Sequence, residues 1–147
     1  MRNITAKGLQ LIKQFEGFSS KIYLDSAGLK TIGYGHLILP CETSSFQNGI
    51  NEAGAVTLLK KDVAIAEQAV SRLITPPINQ NQFDSLVSFT FNLGSAAFQR
   101  STLRAKVNRS EHEQVPREFM RWVYAGGIKI LGLIRRRRAE AELYGSY

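Results

Sequence analysis

The sequence predicts an α+β fold: a small N-terminal lobe with a short antiparallel hairpin sheet, a long connecting helix and a larger C-terminal helical lobe. Three observations predict it. Residues 18–39 carry the one strand-like texture in the chain, broken by Gly28, Gly33 and Gly35. Val56, Leu59, Val63, Ala66, Val70 and Leu73 then recur in steps of three and four, the period of one long amphipathic helix. Beyond Pro76 and Pro77 the apolar residues keep helical spacing to about Leu143. The approximate divisions are 16–50 for the small lobe, 51–75 for the connecting helix, and 76–147 plus 1–15 for the helical lobe, within one domain over 1–147.

Taken in order, Thr5 caps a first helix in which Leu9, Ile12 and Phe15 share a face, and Gly17 stops it just after Glu16. Lys21 to Leu24, a turn at Asp25 to Gly28, and Leu29 to Gly35 read as strand, turn, strand. The glycines at 28, 33 and 35 suit turns and close backbone approach. Pro40 to Gly49 reads as a polar loop. Asn51 caps the long helix, which runs to about Ile74 and ends at Thr75-Pro76-Pro77, with Gly54 weakening its first turn. Asn79 caps the next helix, through Phe83, Leu86, Val87, Thr90 and Phe91 to a stop at Asn92-Leu93-Gly94. That segment is apolar on most sides, which predicts the central buried helix of the larger lobe. Shorter helices follow at about Ser101 to Asn108, Pro116 to Val123 and Ile134 to Leu143, with Gly126-Gly127 and Gly132 marking a loop between the last two.

The composition narrows the function. With 44% hydrophobic residues in 147 the chain can bury a real core. No apolar run approaches the ~18 residues a membrane span needs. The single Cys41, read as a loop thiol, rules out an internal disulfide, and one cysteine with two histidines is too few for the usual structural zinc site. The first residues carry an early arginine but no apolar signal region, so the chain is expected to stay in the cytoplasm where it is made. A formal net charge of +7 draws it to polyanions: nucleic acid, anionic lipid or bacterial envelope polymers.

The chemistry is carried by Glu16, Asp25 and Thr31. Glycoside hydrolysis needs one carboxyl to protonate the leaving oxygen and a second group to handle water or carbon on the other face of the sugar. Glu16 closes the first helix at the negative end of its dipole, which disfavours the ionised form and suits a proton donor. A groove between the lobes is the expected place for an extended ligand.

The spacing of Glu16, Asp25 and Thr31 resembles the catalytic signature of the phage-type lysozymes, the muramidase endolysins of glycoside hydrolase family twenty-four. Four further segments extend the resemblance over nearly the whole chain: Thr31-Ile32-Gly33-Tyr34-Gly35-His36, Gln82-Phe83-Asp84-Ser85-Leu86-Val87-Ser88-Phe89, Phe91-Asn92-Leu93-Gly94 and Arg121-Trp122-Val123-Tyr124-Ala125-Gly126-Gly127. The resemblance implies a mostly helical lysozyme-like fold. It implies cleavage of the β-1,4 bond between N-acetylmuramic acid and N-acetylglucosamine in peptidoglycan, with inversion and no cofactor, and lysis of a phage host. Glu16 is then the general acid. Asp25 and Thr31 hold or activate the attacking water, and Asp25 also balances positive charge at the anomeric carbon. The enzyme is expected to act as a monomer and to reach the wall from the host cytoplasm through a separate pore protein, a holin.

Other residues have more than one reading. The resemblance gives His36 a structural pairing with a carboxylate on the long helix, for which Asp62 is the candidate; such a pair loosens as the imidazole loses its proton. Tyr34 and Phe18 are expected to line the substrate groove. Asn92 either donates to an N-acetyl or hydroxyl group of the substrate or caps its helix. Trp122 is expected in the core rather than as a sugar platform. Arg135 to Arg138 read as a solvated helix face with one or two arginines turned to an anionic substrate. No nucleic-acid fold supports nucleic-acid binding, and Glu140 and Glu142 dilute the charge of a membrane-active helix. The competing functions are a cationic membrane-disrupting antibacterial protein acting through residues 128–138, and a lytic transglycosylase, which manages with one acid and gives Asp25 and Thr31 little to do. The expected partners are peptidoglycan and the anionic envelope, without nucleic acid, metal or stable membrane insertion.

Overall fold

A computed structural model of the chain describes residues 2–146. They divide into two compact units, Lys13–Ala64 and Met1–Ile12 with Ile65–Tyr147. The divisions fall inside two helices, α1 (Ala6–Glu16) and α2 (Glu52–Leu73).

The Lys13–Ala64 unit is built on a three-stranded antiparallel sheet, β1 (Ser19–Leu24), β2 (Lys30–Gly33) and β3 (His36–Leu37), in the order β1-β2-β3. Tyr23 pairs with Thr31, Leu24 with Lys30, and Ile32 with His36. The expected second strand, Leu29 to Gly35, ends at Gly33, because Tyr34 and Gly35 form a turn, and a third strand that was not expected follows it. Ile32, Ala55, Leu59 and Val63 make the core of this unit. Pro40–Phe46 forms a 3-10 helix, not a loop; Pro40 stands at its first position, where a missing N–H is harmless, and the short polar run leaves no periodicity to read. Cys41 is exposed on it. The Asn51 cap is present, its Oδ1 accepting the Gly54 N–H at 2.7 Å.

The other unit packs around α3 (Gln80–Leu93), in which every residue from Phe83 to Thr90 is buried, as its apolar character predicts. Asn79 and Gln82 form a reciprocal capping box, each N–H to side-chain bond 2.8 Å. Gly94 ends α3 and at the same time begins α4 (Ser95–Arg100), a helix absent from the sequence reading. Ser101 does the same between α4 and α5 (Thr102–Asn108), with its Oγ accepting the Arg104 N–H. Then come α6 (Val115–Phe119), shorter than expected, and α7 (Leu131–Gly145), which begins before Gly132. Phe89 is the hub of the core, meeting Phe98, Phe119 and Trp122 edge-on at 5.5–6.2 Å. Trp122 packs against Phe89 but is only half-buried, so the core reading describes the part of the ring that meets Phe89.

Two further expectations are corrected in this unit. Tyr124–Ala125 (β4) and Ile128–Lys129 (β5) pair as a small hairpin, so the N-terminal sheet is not the only strand region. Arg136 and Arg137 are buried, not solvated, while Arg135 and Arg138 are exposed. Glu140, four and three residues on, is buried beside them: its carboxylate lies 3.3 Å from Arg136 Nε and 3.1 Å from Arg137 Nη1. Ser88 of α3 donates to the same carboxylate at 2.5 Å. The charges face α3 because they bring their own counter-charge.

Candidate active site

Glu16 is the last residue of α1, and the Gly17 N–H closes the helix on the Lys13 carbonyl at 2.9 Å. Its half-buried carboxylate lies against Gly35, where an added Cβ would stand 2.6 Å from Oε1. Gly35 also has φ +77°, so conformation and space both select glycine.

Asp25 follows β1 and heads the turn into β2. Its Oδ1 accepts the N–H groups of Ala27 and Leu29, each at 2.9 Å. Oδ2 takes no hydrogen bond from a described residue. This is the turn aspartate of the sequence reading, with one oxygen fixed by the turn and the other open. Thr31 on β2 is 2% exposed and donates its hydroxyl to the Leu29 carbonyl at 2.9 Å. Its hydrogen is therefore engaged and its lone pairs remain for accepting. Leu29 holds both residues, one through its N–H and one through its carbonyl.

Tyr23 joins these three. It stands directly opposite Thr31. Burial raises its phenol above the ordinary value, and the carboxylates of Glu16 and then Asp25 raise it further. Its hydroxyl thus lies in the field of both acids. The sequence reading missed Tyr23; the available signal was strand alternation, which sets residue 23 in line with residue 25.

Tyr34 and Phe18 also lie in this unit, in a different arrangement. The buried Tyr34 donates its hydroxyl to Glu52 Oε1 at 2.9 Å, and Lys13 Nζ lies 3.3 Å from the same oxygen and 5.6 Å from the Tyr34 ring centre. Burial and then Glu52 raise the Tyr34 phenol, while the bond from Tyr34 and then Lys13 lower the Glu52 carboxyl. Phe18 leans on Tyr34 at 5.6 Å and is the exposed member of the pair. His36 bridges two carboxylates, Nδ1 to Asp62 Oδ2 at 2.7 Å and Nε2 to Glu42 Oε1 at 3.2 Å. Glu42 was not expected there. Asn92 belongs to the other unit, on α3, where its Oδ1 accepts from Arg137 Nη2; Gly94 makes the helix cap. Among the described residues no group of three His, Cys, Asp or Glu side chains is placed to hold a metal.

The fold, small antiparallel sheets in an otherwise helical chain, places the protein in the lysozyme class. The phage lysozyme family model matches residues 13–140. The endolysin of Salmonella phage P22 is 37% identical over 143 residues, covering 96% of this chain and 97% of that protein. The endolysin of Bacillus phage B103 is also 37% identical, over 97% of this chain, but the chain spans only 54% of that longer protein. A crystal structure of a P22 lysozyme mutant superimposes with a TM-score of 0.89 at 35% identity, covering 99% of this chain and 100% of that one. The chain belongs to the phage lysozyme family, and its activity is that of a peptidoglycan-hydrolysing endolysin.

Proposed function

We propose that Glu16, Asp25 and Thr31 cleave the β-1,4 bond between N-acetylmuramic acid and N-acetylglucosamine by direct water attack. The protonated Glu16 gives its proton to the glycosidic oxygen as the C1–O bond breaks. Asp25 balances the positive charge that develops at C1. The attacking water has two acceptors for its two hydrogens: Thr31 Oγ1, whose own hydrogen is on Leu29, and Asp25 Oδ2, the oxygen not engaged by the turn. The proton shed by the water goes to Asp25, which releases it to solvent, and Glu16 is reprotonated from solvent. The products are a new reducing end and the released sugar hydroxyl.

The observation that carries this reading is the anchoring of both acceptors by Leu29. A transglycosylase, which uses no water, has no need of it. The membrane-disrupting alternative loses its basis, since Arg136 and Arg137 are buried against Glu140. Delivery from the host cytoplasm through a separate holin pore is part of the same proposal; no described helix is long and apolar enough to cross a membrane.

The test is the clearing of purified cell walls. Glu16→Gln should lower the rate at least ~100-fold with the fold intact, the usual scale for losing a general acid. Clearing at the parent rate would remove Glu16 from the mechanism.

A further inference from the structure

Within the arginine run, Arg137 touches Asn92, a side chain proposed to meet substrate. It is 0% exposed on α7. Its guanidinium stacks over the Phe89 ring at 5.2 Å and lies 3.1 Å from Glu140 Oε1. Glu140 is itself held by Ser88 and Arg136. The guanidinium thus lies between a ring and a carboxylate, and its Nη2 donates to Asn92 Oδ1.

An asparagine amide has an acceptor end and a donor end, and either can face a ligand. A guanidinium only donates. The contact with Arg137 therefore sets the amide one way round, with Oδ1 inward. The Nδ2 hydrogens make no bond to a described residue and are what Asn92 has left to offer. We infer that Arg137 is a positioning residue that locks Asn92 as a donor-only contact, selecting a substrate oxygen that accepts: the carbonyl of an N-acetyl group or a carboxylate of the stem peptide. This rests on the muramidase reading and on Asn92 meeting substrate. It also gives the buried arginine a use that neither the acid nor the water pair requires.

The experiment measures KM and kcat on peptidoglycan for Asn92→Ala, Arg137→Lys and the double variant. Lysine keeps a cation beside Glu140 but cannot reach both Glu140 and Asn92 with one planar fork. The expected result is a several-fold rise in KM for each single variant, kcat within about twofold, and a double variant no worse than Asn92→Ala alone, the signature of two residues acting as one. Additive effects, or an Arg137→Lys KM equal to the parent's, overturn the inference. Asn92→Asp guards against misfolding of the arginine variant. It turns the outward donor into an acceptor and should raise KM beyond Asn92→Ala; an equal or smaller rise contradicts donor-only contact. Repeating the series on amidase-stripped glycan and on N-deacetylated peptidoglycan separates the two ligand sources. The KM effect should vanish with whichever oxygen has been removed, and persistence on both is contrary to the proposal. If the parent protein releases no reducing ends at all, the muramidase reading has failed rather than this one.

Discussion

Gly35 leaves the space that Glu16 fills: a Cβ at residue 35 would stand 2.6 Å from Glu16 Oε1. Gly35→Ala therefore does two things. It strains a backbone at φ +77°, at about 1–2 kcal/mol, and it pushes the acid aside. Displacing a catalytic group by about 1 Å can cost on the order of 100-fold in rate. Gly127 separates the effects, because its φ is +78° with nothing within 4 Å of an added Cβ. Both variants should lose similar stability in urea unfolding, and only Gly35→Ala should lose about 10- to 100-fold in activity.

Tyr23→Phe removes a hydroxyl in the field of Glu16 and Asp25 while keeping the ring. Losing one polar contact of about 1–1.5 kcal/mol corresponds to roughly tenfold in kcat/KM. Thermal melting should stay near the parent's. An unchanged kcat/KM would place Tyr23 outside the working site.

Much of this was legible because it is local. The caps at Asn51 and Asn79, the stop at Gly17 and the turn headed by Asp25 are set by residues within four positions of one another, so Glu16, Asp25 and Thr31 could be given addresses from sequence. The contacts around them could not. Tyr23 meets Thr31 across a strand pair, and Gly35 meets Glu16 across the end of a helix. The α4 helix was hidden because Gly94 and Ser101 each end one helix and begin the next. The β4–β5 hairpin had its Gly126-Gly127 turn in plain view, but strands of two residues each show no alternation. In α7, the spacing of Arg136, Arg137 and Glu140 was visible; which side of the helix meets α3 is a tertiary choice.

That choice has a stability consequence. Glu140→Ala leaves two arginines buried without their carboxylate and should cost about 3–5 kcal/mol. Burial, opposed by Arg137, Arg136 and Ser88, raises the Glu140 carboxyl, and burial lowers the Arg137 guanidinium to about 10 even with Glu140 opposing it. The exposed Arg135→Ala should stay within about 0.5 kcal/mol of the parent. Urea unfolding of both variants compares a buried member of the helix with a solvated one.

The His36 bridge gives a pH dependence through Glu42. The Leu39 N–H, at 2.9 Å, and then His36 hold the Glu42 carboxyl below its ordinary value of 4.5. A carboxyl lowered by folding contributes stability above its unfolded value, and that contribution is lost as pH falls through the lower folded value. Glu42→Gln should therefore be less stable than the parent near neutral pH, with the gap closing as the pH drops below about 4.5. A gap that widens in acid would reverse the assignment.

The central claim is that Glu16 protonates the leaving oxygen while Asp25 and Thr31 deliver water. Mass analysis of purified peptidoglycan digested by the parent and by Glu16→Gln tests it most directly. The account predicts fragments one water heavier than the anhydro form, ending in reducing N-acetylmuramic acid, from the parent and almost none from the variant. Anhydro-muramic ends from the parent, or equal release by Glu16→Gln, would contradict it.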